Sequence, residues 1–177
     1  MLALRFFLLP CFIFLSVHRA GAAGQLRIYW VDVEGGAATL VVTPAGESIL
    51  IDTGNPGDRD PGRINKLARE VAGLSKIDHL VVTHFDRDHF GGAADLAKLI
   101  TIGTLYDQGV RPQDRERVGE AYLNFPCEAR LVLTPGDQLP LKQTGSGPQL
   151  TATVLGILQR NIEPTGNNKP NPFPKDY

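Results

Sequence analysis

The chain has 177 residues, 42% of them hydrophobic and 21% charged, with 18 Lys and Arg against 19 Asp and Glu, for a formal net charge of -1. That length and apolar content suffice for one domain with a sizeable core. The balanced charge, without a basic or acidic block, gives no strong nucleic-acid-binding signal and excludes a highly charged tail.

The first 23 residues have the pattern of a secretory signal peptide. Arg5 precedes an apolar stretch at 6–17, and small residues follow at 20–23. The apolar stretch is shorter than the ~20 residues needed to span a bilayer. We therefore predict cleavage after Ala22 or Ala23, export to the periplasm or the medium, and no membrane span in the mature chain. An uncleaved anchor is the alternative.

Three strands are predicted at the start of the mature chain, at 25–33, 38–43 and 48–52. Each is rich in β-branched or aromatic residues, and short turns containing Gly or Pro separate them. Such short connections favour an antiparallel meander.

A helix is predicted after the third strand. Asp60 and Pro61 are typical of an N-cap and a first helical position, and the helix is expected to end near Ala72, before Gly73. The helical period places four apolar residues on the face that should pack on the sheet: Ile64, Leu67, Ala68 and Val71.

A cluster of four potential metal ligands follows the next predicted strand, an apolar run at 77–82. The four ligands lie within six residues: His84, Asp86, Asp88 and His89. In an extended loop, residues two apart point the same way, so His84 and Asp86 can share one ion while Asp88 and His89 face a second. Imidazole and carboxylate groups suit zinc, manganese or iron. The alternative is an acid-rich surface loop in which an Asp caps the following helix.

Glycines and a short helix complete this region. Gly91 and Gly92 are expected to let the backbone pass close beneath the ions without interference from a Cβ atom. A helix is predicted at 92–99, and His79, at the start of the preceding strand, is expected to be a hydrogen-bonded structural residue.

The remaining chain predicts a strand at 101–106, a solvent-facing helix at 112–124, a strand at 128–133 and a turn at 134–137. Asp107 could lie near the ions or only form a local turn. Segments 139–141 and 149–157 could pair as further strands. Export would leave Cys127 as a single thiol, which favours a packing role. From residue 161 the chain is rich in Pro and Asn and is expected to be an irregular tail.

The run THFDRDHFGG at 83–92 resembles the metal-binding signature of the metallo-β-lactamase superfamily, usually His-x-His-x-Asp-His. Asp86 replaces the second His, as in a subset related to DNA-uptake competence proteins. The run at 31–54 is also similar to that subset, and the run at 135–157 resembles the second half of the superfamily's first β-layer. The resemblance implies a layered fold of the α/β (α+β) class, the αββα sandwich. Residues 24–160 would form an incomplete domain that contains the first half of this sandwich.

The resemblance also implies roles for five residues. His84, Asp86, Asp88 and His89 would be the metal ligands, and Asp88 would orient the attacking water as the catalytic residue. Asp52 would support the loop through hydrogen bonds without ligating. Two alternatives for Asp52 are a turn-forming residue and, from the Asp-Thr-Gly sequence, the acid of a homodimeric aspartic protease.

The implied activity is metal-dependent hydrolysis of an ester, amide or phosphodiester bond through metal-activated water. One or two divalent ions are expected, zinc first, with manganese or iron as alternatives. The substrate, whether a small molecule or a phosphodiester, is not specified by the sequence. Because no His follows His89, the alternative is a truncated, catalytically inactive member that binds a metal or a partner.

Overall fold

The computed structural model describes residues 24–145, 148–158 and 160–161. Residues 160 and 161 are described by their backbone alone. The predicted signal peptide at 1–23 and nearly all of the predicted tail lie outside the described residues. Within the described part, no helix is long and apolar enough to cross a membrane.

A six-stranded mixed sheet forms the centre of the described fold. Its strands are β1 (Arg27–Trp30), β2 (Thr39–Val42), β3 (Ser48–Ile51), β4 (Lys76–Val81), β5 (Thr101–Asp107) and β6 (Ala129–Val132). They lie in chain order, β1-β2-β3-β4-β5-β6. The first three pair antiparallel, as the predicted meander requires. β3, β4, β5 and β6 pair parallel.

The parallel strands are connected through short helices. These are α1 (Arg59–Lys66), continued by a π-helical turn at Leu67–Val71, then α2 (Arg87–Phe90), α3 (Ala93–Leu96), a 3₁₀ turn at Pro112–Asp114 and α4 (Arg115–Asn124). Crossovers between parallel strands are right-handed, which brings successive helices onto one face of the sheet. The layered α/β prediction is confirmed, although α3 is shorter than the predicted helix at 92–99.

The first helix differs from its predicted limits and from its predicted buried face. It begins at Arg59, so Asp60 and Pro61 lie inside the first turn. At the other end the Ala72 N–H donates to the Leu67 carbonyl at 2.9 Å, a π-helical bond. The extra residue in this turn rotates the face, so that Val71 is 59% exposed and Ala72 is buried. The predicted packing of Val71 is therefore wrong, while Ile64 and Ala68 are buried as expected.

Apolar packing occurs on both faces of the sheet. On the helix face, residues of all the central strands pack with the helices; the largest buried members include Leu40, Leu50, Ile64, Leu80, Phe85, Leu96 and Leu105. Cys127 packs at the margin of this cluster, in line with the predicted packing role. The opposite face carries a smaller cluster of Ile49, Tyr106, Leu133, Leu139 and Leu141.

The segment after β6 covers the opposite face without forming the predicted strands at 139–141 and 149–157. Among its described residues, the pairing consists of a bridge between Gln138 and Thr153, nearby backbone hydrogen bonds such as Leu139 N–H to the Ala152 carbonyl at 3.0 Å, and β7 (Gly156–Ile157) with β8 (Arg160–Asn161). The turn at 134–137 is present, and the Asp137 carboxylate accepts the Thr134 N–H at 2.7 Å. A cleft of about 470 Å³ with mostly aliphatic walls remains between this segment and the sheet.

Hydrogen bonds to the Asp78 carboxylate join β3 to β4 near the amino ends of the parallel strands. The Asp78 carboxylate accepts the Ser48 N–H at 3.0 Å and the Ser48 hydroxyl at 2.9 Å, and Lys76 lies 3.1 Å away. Burial raises the pKa of Asp78, but these hydrogen bonds and the lysine outweigh it, so the pKa is lowered. The charged carboxylate therefore stabilises this end of the sheet.

Candidate metal centre

The loop with the four predicted ligands leaves the carboxyl end of β4, the central strand of the parallel part of the sheet. Asp52 follows β3 at the same edge, and Asp107 ends β5 there. Parallel strands bring their carboxyl ends together, and this edge is where open α/β sheets place their sites. The fold therefore gathers the residues that the sequence singled out at 52 and at 84–89.

The buried Asp52 carboxylate holds the ligand loop through hydrogen bonds. Only 2% of Asp52 is exposed. Its Oδ1 accepts the Thr83 N–H at 2.8 Å, and its Oδ2 accepts the Thr83 hydroxyl at 2.7 Å and lies 2.9 Å from His89 Nδ1. The carboxylate thus binds groups 31 to 37 residues away and does not form the local turn of the first alternative. A buried acid with all these partners is also unsuited to the protease alternative.

Both histidines have Nδ1 against an oxygen atom. Asp52 accepts from His89 Nδ1, so the ring is protonated there and Nε2 keeps its lone pair. His84 Nδ1 lies 3.0 Å from the Thr83 hydroxyl oxygen. The two ring centroids are 4.0 Å apart. Two imidazoles are therefore held side by side, and in both rings Nδ1 is the nitrogen that faces Thr83 or Asp52.

Asp86 stands at the N-cap position of α2, but its side chain makes no capping hydrogen bond. Its Oδ2 lies 3.3 Å from His84 Nε2, and its Oδ1 lies 3.3 Å from Arg117 Nη1. The capping alternative weighed for this loop therefore does not describe Asp86. Its carboxylate lies on the His84 side of the cluster.

Asp88 is held mainly through its backbone. Its carbonyl accepts the Ala37 N–H at 3.1 Å, and a Cβ on Gly36 would lie 2.1 Å from that oxygen. A Cβ on the neighbouring Gly35 would meet nothing within 4 Å. The turn at 34–36 thus needs a glycine at one position so that it can support the ligand loop. The Asp88 side chain is half-buried beside a cleft that Asp86 also lines.

The two glycines after the ligands allow close contact with the loop after β3. A Cβ on Gly91 would lie 2.6 Å from Pro56 Cδ, and one on Gly92 would lie 2.3 Å from the Thr53 carbonyl oxygen. The Gly92 N–H also donates to the Gly54 carbonyl at 3.1 Å. The close approach that these glycines permit is to the loop after β3, which locks the two loops together.

The donor set fits a divalent cation in kind. Imidazole nitrogens and carboxylate oxygens are the ligands that zinc, manganese and iron take, and Asp52 orients the His89 ring as an outer partner does. In the part of the chain that the structure covers, no three His, Cys, Asp or Glu side chains are gathered closely enough to hold an ion unaided. Completing a coordination sphere therefore requires water or further ligands.

A cleft of about 460 Å³ opens between the ligand loop and α4. Its wall contains a set of edge-to-face rings, Phe85, Phe90 and Tyr122. The Tyr122 hydroxyl donates to Asp107 Oδ2 at 2.9 Å. Burial, together with the Asp107 charge, raises the pKa of Tyr122 well above its ordinary value. Tyr122 therefore stays a neutral donor.

Asp107 has the local role that the sequence allowed for it. Its Oδ1 accepts the Gly109 N–H at 2.8 Å, while Oδ2 is taken by Tyr122. It therefore holds α4 against β5.

His79 lies in the middle of β4, not at its start. It is buried, its Nδ1 lies 3.3 Å from the Tyr106 hydroxyl, and its Nε2 lies 3.6 Å from Glu47 Oε1. The predicted structural role is consistent with these contacts on the face opposite the helices.

Two residues contribute to the site although the sequence pattern does not assign them a role. Thr83 precedes the ligands and joins Asp52 to His84 through its hydroxyl. The signal that could identify it is a small hydroxyl residue directly before the first His. Arg117 comes from α4, 31 residues after Asp86, and no local pattern marks that pairing.

Comparisons with known proteins agree with this geometry. A family model described as the metallo-beta-lactamase superfamily matches residues 31–142, more than half of the chain. A UPF0173 metal-dependent hydrolase of Cupriavidus necator is 32% identical over 137 residues, covering 73% of this chain and 41% of the relative. One of Cupriavidus taiwanensis is 38% identical over 91 residues, covering 50% of this chain and 28% of the relative.

One solved structure is also similar, that of MEM-A1, a subclass B3 metallo-beta-lactamase isolated from a soil metagenome library. It is 22% identical, with a TM-score of 0.42, over 64% of this chain and 46% of that chain. The present chain spans less than half the length of the relatives that it matches.

Proposed function

Because the chain belongs to the metallo-β-lactamase superfamily, we propose that it provides the ligand loop of a metal-dependent hydrolase. The observation that carries the proposal is the 2.9 Å contact between His89 Nδ1 and the buried Asp52 carboxylate. A buried carboxylate on one nitrogen of an imidazole is the arrangement that orients a histidine so that its other nitrogen can bind a metal ion. The names of the relatives as metal-dependent hydrolases support the same activity.

We assign His84 and Asp86 to one ion, and Asp88 and His89 to a second. Bound divalent ions would supply a Lewis acid and an acidic water for hydrolysis. Asp88 accepts a hydrogen bond from the attacking water and so orients it, since its side chain lines the cleft beside the loop. Zinc is the ion proposed first, since imidazole nitrogen forms half of the donor set.

The bond that is hydrolysed is an ester, amide or phosphodiester bond in a small or phosphodiester substrate. The absence of a basic block in the sequence argues against tight binding of a long nucleic acid. We further propose that the hydrolase acts outside the cytoplasm, because residues 1–23 have the pattern of a signal peptide.

A second candidate is a catalytically inactive member that binds metal or a partner. It is favoured by one observation, that within the described ranges no three potential ligands converge on one point. The two candidates differ in turnover, since both allow metal to bind.

Metal content by mass spectrometry on the purified chain tests the proposal. We expect near-stoichiometric zinc, manganese or iron, which a His84→Ala/Asp88→Ala double variant loses. A matched control is Glu70→Ala/Glu116→Ala, which removes two exposed carboxylates of the helices and should keep the metal. A metal-free, folded wild-type chain would refute the metal site.

Hydrolysis assays then separate the two candidates. Chromogenic ester, amide, β-lactam and phosphodiester substrates should be tested with the metal-loaded wild type. Turnover that the double variant loses and the control keeps supports the hydrolase. Stoichiometric metal with no turnover on any of these substrates favours the inactive member.

A further inference from the structure

Arg117 connects the ligand loop to α4 by two ion pairs. Its Nη1 lies 3.3 Å from Asp86 Oδ1, and its Nη2 lies 3.5 Å from Asp114 Oδ1. The planar guanidinium fork can bind two carboxylates in a fixed relative orientation, which an ammonium group cannot do. Arg117 is therefore in a position to control where the Asp86 carboxylate points.

The far end of this connection is rigid. Asp114 is 6% exposed, and its Oδ2 accepts from Arg111 Nε at 2.6 Å. It closes the 3₁₀ turn that leads into α4. Because Asp114 is fixed by burial and by Arg111, Arg117 is anchored at one side before it reaches Asp86.

The near end would be mobile without the arginine. The side chain of Asp86 is 59% exposed, makes no capping bond to α2, and hydrogen-bonds through Oδ1 to Arg117. Its other oxygen, Oδ2, faces His84 Nε2 at 3.3 Å. With Oδ1 held by Arg117, Oδ2 is the oxygen that is turned toward the imidazole that would share its ion.

We propose that Arg117 is a positioning residue, which orients Asp86 for metal binding and does not itself touch the ion. The inference rests on the proposed function, since it concerns the same ligand set. It concerns the position at which Asp86 replaces the His of the usual signature. A carboxylate can rotate more freely than a packed imidazole, and a partner on its outer oxygen limits that rotation.

Two opposing effects decide whether Arg117 strengthens or weakens metal binding. Its positive charge repels a cation, but the Arg117 side chain is 53% exposed, so water screens that repulsion strongly. Orientation acts directly on the ligand atom. Outer partners of metal ligands typically contribute about 10- to 100-fold in metal affinity, and a half-exposed pair belongs at about the lower end of that range.

The test is zinc affinity of the full chain, measured by competition with a chromogenic chelator. Arg117→Gln should weaken zinc binding about 10-fold. Arg117→Lys should restore only part of the affinity, because an ammonium group can pair with Asp86 but lacks the fork that fixes its orientation relative to Asp114. Arg115→Gln is the matched control: Arg115 is an exposed arginine of the same helix, in an ion pair with Glu120 at 3.3 Å, and its loss should leave zinc binding unchanged.

A double-variant cycle shows whether Arg117 acts through Asp86. In an Asp86→Asn background, Arg117→Gln should have no further effect on zinc affinity. An effect of full size in that background would overturn the inference, as would equal affinities of the Arg117→Gln and Arg115→Gln variants or tighter binding by Arg117→Gln. A wild-type chain that binds no zinc, manganese or iron would overturn both the proposed function and this inference.

Discussion

The hydrogen bond between Asp52 and His89 predicts a specific effect of replacing Asp52 by Asn. In the native protein Asp52 accepts three hydrogen bonds, from the N–H and hydroxyl of Thr83 and from His89 Nδ1. An asparagine has one accepting oxygen and one donating amide. The oxygen should stay on the Thr83 N–H, which cannot reverse its role, so the amide nitrogen must face the Thr83 hydroxyl and His89 Nδ1.

This arrangement reverses the tautomer of His89. Facing a donor, Nδ1 becomes the acceptor and the ring proton moves to Nε2, the nitrogen that would bind the metal. Recovering the binding tautomer sacrifices a hydrogen bond, so zinc affinity should fall about 10- to 100-fold. Fold stability should fall by only about 1 kcal/mol, because Asn tolerates the positive φ of 60° at this residue as well as Asp does.

Three measurements check this prediction: zinc affinity by chelator competition, urea unfolding of the metal-free chain, and the ¹⁵N shifts of the His89 ring. Asp52→Ala is the comparison, since it loses all three hydrogen bonds and adds backbone strain of about 1 kcal/mol. Zinc binding by Asp52→Asn within two-fold of wild type would refute the reasoning, as would an unchanged His89 tautomer.

Three further predictions concern the fold around the site. Gly36→Ala should lose about 1–3 kcal/mol of stability and weaken zinc binding, because its Cβ would overlap the carbonyl of a proposed ligand, whereas Gly35→Ala should be near neutral in the same urea titration. Asp78→Asn should destabilise at pH 7. Because the pKa of Asp78 is lowered in the fold, its stabilisation is present above about pH 4 and is lost as pH falls through the lowered value. The variant and wild-type unfolding curves should therefore converge in acid, and a difference that persists there would contradict this origin. Ile64→Ala should lower the free energy of unfolding by about 2–5 kcal/mol, whereas Val71→Ala should lower it by under about 0.5 kcal/mol. Equal losses of stability would argue against the π-helical turn.

Local patterns in the sequence were sufficient to predict most elements and the position of the ligand loop directly after β4. The alternation of apolar residues marked the strands of the meander, and the combination of His and Asp after an apolar run marked a candidate metal site. Both signals lie within short windows, where the side-chain period and ligand chemistry depend on adjacent residues. That is why the predicted strand at 48–52 and the observed β3 agree within one residue.

Errors arose where one residue shifts a local register or where a segment depends on distant partners. The π-helical bond at Leu67 exchanges Val71 for Ala72 on the buried face, and no apolar pattern distinguishes this from a regular helix. In their described residues, the segments predicted as strands after residue 138 form a bridge, a few hydrogen bonds and the two-residue strand β7, because the strength of β-pairing depends on neighbours beyond the segment.

The sequence by itself determined which groups could bind a metal and the family that they resemble, since both depend on residues within six positions of one another. Only the tertiary structure decided how those groups are oriented. Asp52 reaches His89 from 37 residues away, and Arg117 reaches Asp86 from 31 residues away. Hydrogen bonds of this kind form only after the parallel strands align their carboxyl ends and α4 packs beside the loop. Their specificity lies in three-dimensional distance and direction, which sequence separation does not encode.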